Sequence, residues 1–421
     1  MKKKVLIIVF LLLFLICNVT IFLYSSYKKE QKIEYQKKLK IEIENHYDSV
    51  VITNKETKLY DKDNKIVGKI SDNIVLNLEK IKIDHNSNYF LISNFGKKYY
   101  IEYKDVEAYK EKEMVDERYK NYILFNENII TKDITNFYDE NDKLLYSLNE
   151  SFNLPIIIKD NNKYGVQFNN RLLYIKNSDI SEIKENKNTD KKNSSGVAVL
   201  NYHAFYDENN EEERKNCNSD ICHSISQFKE HLNFFSENNI FTLKMDEYEK
   251  YIDGKIQLPK SVLITIDDGG RTKHAIDLLT EYKMYATIFL VTSWFDLNDY
   301  YYTEYIEFHS HTHDMHNVGI CPGGQGGGIK CLPEETVLND LKMSREKLKG
   351  TTALCYPFYE YNNYSIELAK KAGFTLGFAG ETYYNDNLTH VGTNKFKLNR
   401  FVITVYTSMA DITTYFDQIK S

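Results

Sequence analysis

The sequence predicts an α/β domain with a parallel sheet, open or closed into a barrel, set behind two small all-β units and an N-terminal transmembrane helix. Three observations carry this prediction. Strands and helices alternate from residue 197 onward, which is the grammar of a parallel sheet. Between Ser49 and Ile183 the chain has only short β-like runs and turn residues, with no long amphipathic helix. At the start, three lysines precede a long apolar run.

That run extends from Val5 to Tyr24 behind Lys2, Lys3 and Lys4, broken only by Asn18 and Thr20. Twenty helical residues span about 30 Å, the thickness of a bilayer core. No small-residue cleavage site precedes Ser25, and Ile16 before Cys17 argues against a lipoprotein signal. Residues 1–26 are therefore expected to be an uncleaved anchor. The charged residues 27–48, carrying Ile33 and Leu39, would form a juxtamembrane stalk. Lys28, Lys29, Lys32, Lys37, Lys38 and Lys40 follow the span, so the positive-inside rule does not orient it. The short leading tail and the cysteines place the rest outside, as a single-pass protein of the cell membrane with its main domain extracytoplasmic. Cys217 with Cys222, and Cys321 with Cys331, form close pairs that read as disulfides in an oxidising compartment. A metal site is the competing reading, but neither pair has CxxC spacing. Cys17 lies in the span and Cys355 stands alone.

The β region repeats itself. Thr57 to Lys65 (TKLYDKDNK) matches Thr135 to Lys143 (TNFYDENDK), and Tyr100-Ile101 with Asp105-Val106 matches Tyr174-Ile175 with Asp179-Ile180. Two units are expected, at residues 49–110 and 118–183. They resemble bacterial SH3-like repeats, which recur in cell-wall proteins, so wall contact is expected of them; a plain spacer is the alternative. Residues 184–196 (KENKNTDKKNSSG) have no large apolar side chain and read as a linker. The last domain then covers residues 197–421.

Within it, Val197–Tyr202 is the first expected strand, and Phe228, Leu232 and Phe235 stripe a helix at i, i+4, i+7. Val262–Ile266 is a buried strand, followed by a helix through Leu278 and Leu279, then the strand Ala286–Val291. Pro333 marks a helix start, with Leu338, Leu341 and Leu348 on its inner face. Ala353–Tyr356 is a strand, Ile366–Ala372 a helix ended by Gly373, and Phe374–Phe378 the next strand. Active sites of such folds collect on loops at the carboxyl ends of the strands. With 54 basic against 60 acidic residues and a formal charge of −6, the chain lacks the basic surplus of a dedicated nucleic-acid binder.

The loop after Val262–Ile266 reads Asp267-Asp268-Gly269-Gly270. Two adjacent carboxylates at a strand end can aim apart, one toward a metal and one toward a proton. A plain DD turn is the alternative. A second stretch, Glu307 to His316 (EFHSHTHDMH), holds four of the eleven histidines. Surface histidines also cluster by chance, but beside a DD strand end they favour a metal site. Imidazole with carboxylate suits zinc, with cobalt, nickel or manganese as the other divalent candidates.

Together, the DDG strand end and Ser310-His311-Thr312 resemble the polysaccharide deacetylases (carbohydrate esterase family four, the NodB-homology fold) over roughly residues 197–405. The resemblance implies an irregular (β/α) barrel of NodB type, a first Asp acting as general base, and a second Asp with two histidines holding the metal. Carried across, Asp267 is the base and Asp268 a ligand. Aligned on Glu307 and Ser310–Thr312, His311 is the first histidine ligand, and the usual spacing puts Met315 second, which cannot serve. The branch acting on poly-N-acetylglucosamine has one more residue there, and His316 then fits. His309 with His313 matches the bare pattern and is the alternative pair. The usual C-terminal Leu-Xaa-His is absent. That branch is circularly permuted and carries its acid before the DDG strand, where Leu200-Asn201-Tyr202-His203 stands, so His203 becomes the proposed acid. Cys355-Tyr356-Pro357-Phe358 resembles the Pro-aromatic motif without its arginine, for which Arg400 is the candidate substitute. The Asp-Trp motif has no counterpart; Trp294 is the only tryptophan. The Gly-rich stretch from Cys321 to Cys331 reads as a disulfide-closed rim. The implied activity is metal-dependent N-deacetylation of an N-acetylglucosamine-containing envelope polymer, peptidoglycan or an exopolysaccharide, with release of acetate. A catalytically decayed glycan-binding protein and a metal amidase on a non-sugar substrate are the alternatives.

Overall fold

The computed structural model describes residues 2–46, 49–52, 56–77, 81–83, 89–94, 97–109, 116–168, 171–298, 300–380 and 388–420. The chain forms two compact units, one of residues 1–119, 127–156 and 160–186, the other of residues 120–126, 157–159 and 187–421. The stretch expected as a linker, 184–196, straddles that division, and Ser194 within it is buried.

Anchor and stalk are one continuous helix, Lys2–His46. Among the described residues no helix is long and apolar enough to cross a membrane, so the expected transmembrane anchor at 1–26 is not supported. The described side chains begin at Leu15, so only Leu15–Tyr24 of the apolar run precede the lysines from Lys28. The side chains of residues 1–14, which include the first half of the apolar run, lie outside the description.

The β region duplicates one strand plan. Thr57–Tyr60 pairs antiparallel with Ile66–Ile70, and Thr135–Tyr138 with Leu144–Leu148. In each connecting loop an aspartate side chain closes the turn, a role Asp takes because its short carboxylate reaches backbone amides ahead of it. Asp61 Oδ1 accepts from the Lys65 amide at 2.9 Å and Asp139 Oδ1 from the Lys143 amide at 2.8 Å. Tyr60 then faces Tyr100, and Tyr138 faces Tyr174. Ser49–Ile52 pairs with Val75–Asn77 and Val106–Tyr109, as Glu127–Thr131 pairs with Asn153–Pro155 and Ile180–Glu185.

In the second unit, strands β1 (Ala198–Tyr202), β2 (Ser261–Ile266), β3 (Ala286–Leu290), β4 (Ile306–Ser310), β5 (Ala353–Cys355), β6 (Leu376–Phe378) and β7 (Phe401–Val402) build a parallel sheet in the order β6-β5-β4-β3-β2-β1-β7. Each new strand adds beside the last, and β7 returns to the free side of β1. Just before β7, Leu398 bridges Phe378 of β6, so one short segment touches both edges and closes an irregular barrel. Every residue of β1, β2 and β3 is buried, as strands covered on both faces require.

Helices α1 (Ile225–Glu237), α2 (Met245–Ile252), α3 (Lys273–Tyr282), α4 (Glu334–Lys347), α5 (Asn363–Lys371) and α6 (Met409–Asp417) belong to the unit, with a shorter helix at Glu211–Asn216 and a two-residue strand, Phe241–Thr242, that pairs parallel with β2. Phe228, Leu232 and Phe235 of α1 are fully buried against the sheet, at roughly 2 kcal/mol each. The inner face of α4 is Val337, Leu341 and Ser344, with the expected Leu338 and Leu348 only half-buried. Pro333 is the N-cap rather than the first helical residue, and Leu348 is already the C-cap. Cys217–Cys222 and Cys321–Cys331 are disulfides.

Candidate active site

The site forms where β1, β2, β4 and β5 end. Asp267 continues the ladder past β2, its amide donating to Tyr202 O at 2.9 Å. Asp268 then turns into the left-handed region (φ 70°) and Gly269 follows (φ 89°), so the two neighbouring carboxylates diverge. Gly269 is required twice over: for its φ, and because a Cβ there would sit 2.3 Å from Leu290 Cδ2.

Asp267 is completely buried. Arg400, entering β7 and equally buried, grips it with two bonds, Nη1 to Oδ1 at 2.7 Å and Nη2 to Oδ2 at 2.8 Å. Asn201 Nδ2 adds a bond to Oδ2 at 3.1 Å and the Cys355 thiol one at 3.4 Å. Burial pushes the carboxyl up, but the guanidinium outweighs it and holds Asp267 well below the usual carboxylate range. Arg400 thus supplies the arginine missing from the Cys355–Phe358 stretch.

Asp268 Oδ1 faces two imidazoles, His311 Nε2 at 3.3 Å and His316 Nε2 at 3.4 Å. It is buried, with no hydrogen-bond partner among the described residues. His311 donates from Nδ1 to the Cys355 carbonyl at 2.9 Å, which turns Nε2 to Asp268 as the nitrogen a metal would take; burial lowers the His311 pKa, but Cys355 and Asp268 outweigh it and hold the ring above its ordinary value. Burial and the neighbouring His311 push the His316 imidazole down to about 4, which keeps its ring neutral. One carboxylate oxygen and two imidazole nitrogens thus converge on one point. This donor set fits a divalent metal such as zinc. Asp267, His311 and Cys355 also lie close enough to hold an ion, but Arg400 already occupies the Asp267 carboxylate.

The loop carrying the histidines is pinned from α4. Asp340 accepts the amides of His313 and Asp314, both at 2.7 Å, while Met315 is buried in the core beside Ile329 and Val337. His316 packs between Trp294 and Phe358, at ring distances of 5.3 and 4.5 Å. The alternative pair is engaged elsewhere: His309 bonds Thr351 at 2.5 Å and His313 bonds Thr292 at 2.9 Å. Among the described residues the cluster meeting Asp268 is His311 with His316.

His203 follows β1 and lines a cleft of about 350 Å³ together with Asp268, Arg271, Trp294 and the Cys217–Cys222 loop. Burial lowers its pKa, opposed by the nearby Asp267 and Asp268. Its Nε2 lies 3.1 Å from the Tyr359 hydroxyl. Phe358 and Tyr359 both adopt left-handed backbone (φ 58° and 62°), conformations that cluster at functional sites. Glu360 holds the Gly-rich rim, accepting from Gly327 N at 3.0 Å and pairing with Lys330 at 2.7 Å. The sequence reading gave no role to Tyr359, Asn201 or Asp340, and no motif carries a signal for them.

Comparison with known proteins agrees with the resemblance read from the motifs. Residues 255–377 match the polysaccharide deacetylase family model. A poly-β-1,6-N-acetyl-D-glucosamine N-deacetylase of Staphylococcus aureus is 30% identical over 180 residues, covering 38% of this chain and 61% of that protein. The enzyme of the same name from Staphylococcus epidermidis is 30% identical over 176 residues, 36% of this chain and 59% of that one. The chain thus spans about three fifths of the length of these relatives. Among solved structures, a de-N-acetylase from Aggregatibacter actinomycetemcomitans superposes with a TM-score of 0.44 at 20% identity, covering 52% of this chain and 99% of that one. A Bacillus cereus polysaccharide deacetylase gives a TM-score of 0.42 at 16% identity, covering 83% and 99%.

Proposed function

Given that residues 255–377 belong to a polysaccharide deacetylase domain, we propose that this chain removes acetyl groups from an N-acetylglucosamine polymer of the cell envelope in a metal-dependent hydrolysis. What supports the reading is Asp267 in the grip of Arg400 next to the Asp268–His311–His316 cluster, whose Asp268 lines one cleft with His203.

In this proposal Asp268, His311 and His316 would hold a divalent ion, whose contribution when bound would be Lewis-acid polarisation of the acetamide carbonyl and a lowered pKa for water. Asp267 takes the proton of the attacking water. Arg400, Asn201 and Cys355 keep its carboxylate charged and oriented, so it is ready without rearrangement. His203 gives a proton to the departing amine nitrogen, which otherwise leaves poorly. Trp294 walls the cleft. The products are acetate and a free amine on the sugar.

Poly-β-1,6-N-acetylglucosamine is the substrate we propose first, on the names of the relatives; the duplicated β units, if they contact cell wall, favour peptidoglycan. We also propose extracytoplasmic action on a membrane tether, supported by the two disulfides and by Lys2–Lys4 preceding the Val5–Tyr24 run. The test is acetate release by the full chain from β-1,6-linked N-acetylglucosamine oligomers and from purified peptidoglycan, with zinc or cobalt added. Metal-dependent release that Asp268→Ala abolishes is the expected result, and the faster substrate names the polymer. Bound metal with neither substrate turned over would reject the substrate assignment.

A further inference from the structure

We infer that Tyr359 is a positioning residue for the acid His203, holding its Nε2 so that Nδ1 is the nitrogen that exchanges a proton with the leaving amine. The inference rests on the deacetylase reading, but its geometry is independent of the metal cluster. Asn201 fixes the hydrogen-bond directions. Its Oδ1 accepts from Arg400 Nη1 at 3.1 Å, and a guanidinium can only donate. Its amide nitrogen therefore points the other way, donating to Asp267 at 3.1 Å and to the Tyr359 oxygen at 3.0 Å. Tyr359 takes that N–H on one side, and in this inference its own hydroxyl hydrogen goes to the ring nitrogen on its other side, His203 Nε2 at 3.1 Å.

With Nε2 accepting, the neutral ring carries its hydrogen on Nδ1. That atom is buried and has no hydrogen-bond partner among the described residues, while the His203 side chain lines the cleft beside Asp268. When the ring is charged, Nε2–H donates to the tyrosine oxygen instead, because a hydroxyl can both give and take. The step then balances. The C–N bond breaks with its electron pair going to nitrogen, the Nδ1–H bond breaks as the new N–H bond forms, and the ring is recharged by a proton from solvent while Asp267 gives up to solvent the one it took from the attacking water. A carboxylate in the place of Tyr359 could only accept from Nε2–H, which would leave the neutral ring with its lone pair on Nδ1. The Asn201 side chain also ties the acid to the base, since one amide group touches both Tyr359 and Asp267.

The test uses Tyr359→Phe in the full chain with two substrates and one spectrum. An N-acetylglucosamine oligomer needs its amine protonated to leave; para-nitrophenyl acetate does not, because its aryloxide departs unaided. We expect kcat on the oligomer to fall about 10- to 100-fold, the scale of general acid catalysis, with KM and the ester rate within about 2-fold of native. Ring ¹⁵N shifts of His203 should report the Nδ1–H tautomer in the native chain and lose that bias in Tyr359→Phe. Equal loss on ester and amide, or an unchanged amide rate, would overturn the inference. If the native chain cleaves the ester and no sugar amide, the polymer reading fails. The tautomer measurement then still decides: an unchanged tautomer rejects the role of Tyr359, and a lost bias sustains it.

Discussion

Asp267 is a carboxylate with no exposed surface, and what keeps it charged is a guanidinium from 133 residues further along the chain. Removing one partner of such a pair strands the other, at a cost of about 3–5 kcal/mol. Arg400→Ala should therefore lower the melting temperature and suppress turnover, because a stranded Asp267 takes up a proton and can no longer act as a base. The double variant Asp267→Asn with Arg400→Ala should recover much of the stability and none of the activity. Urea melts and acetate release check both. A single Arg400→Ala variant as stable and active as native would refute the pairing. The candidate for this position was visible from sequence only because the motif arginine was missing; nothing local to Leu398–Val402 points to Asp267.

At the scale of elements, the histidine loop shows how a strand end selects its ligands. His309 and His311 alternate by two and share a face of the β4 line. His309, inside β4, is held by Thr351, and His311, one residue past its end, reaches Asp268. The loop then turns on two amides held by Asp340 of α4. Asp340→Ala touches none of the three ligands, yet should weaken zinc binding about 10- to 100-fold, the usual effect of losing a residue that orients ligands. A competition titration with a zinc dye, beside circular dichroism to confirm the fold, measures this. Unchanged affinity would mean the loop holds its shape without α4.

At the scale of the molecule, the barrel unit buries histidines that must stay neutral. Burial pushes both His231, beneath Tyr202, and His309 down to about 4 from the ordinary 6.5. Their folded pKa lies below the unfolded one, so the stability each contributes is complete above pH 6.5. It is lost as pH falls toward 4, where the unfolded chain binds protons that the folded chain refuses. Each histidine bears up to ~3 kcal/mol of this. Chelator-treated protein should thus lose stability to urea between pH 6.5 and 4, and His231→Gln should flatten that dependence. A native curve that stays level across this range would contradict it.

Strands β1, β2, β3, β5 and β6 with helices α1, α3, α4 and α5, the Asp267-Asp268-Gly269 turn and the doubled hairpin were legible in the sequence, whereas β4, read only as a histidine cluster, and α2 were not. Each legible feature depends on interactions a few residues apart: hydrophobic period, an aspartate closing its own loop, a glycine where φ turns positive. The motif resemblance named His311 with His316 and offered Arg400, but only the tertiary structure brings them to Asp268 and Asp267, and only it sets Tyr359 against His203. It also placed the boundary of the barrel unit inside the polar stretch read as linker, and left the anchor at 1–26 unsupported within the described residues. His203 and Tyr359 are 156 residues apart and meet only because the barrel closes. Contacts of that kind leave no period or spacing in a single chain.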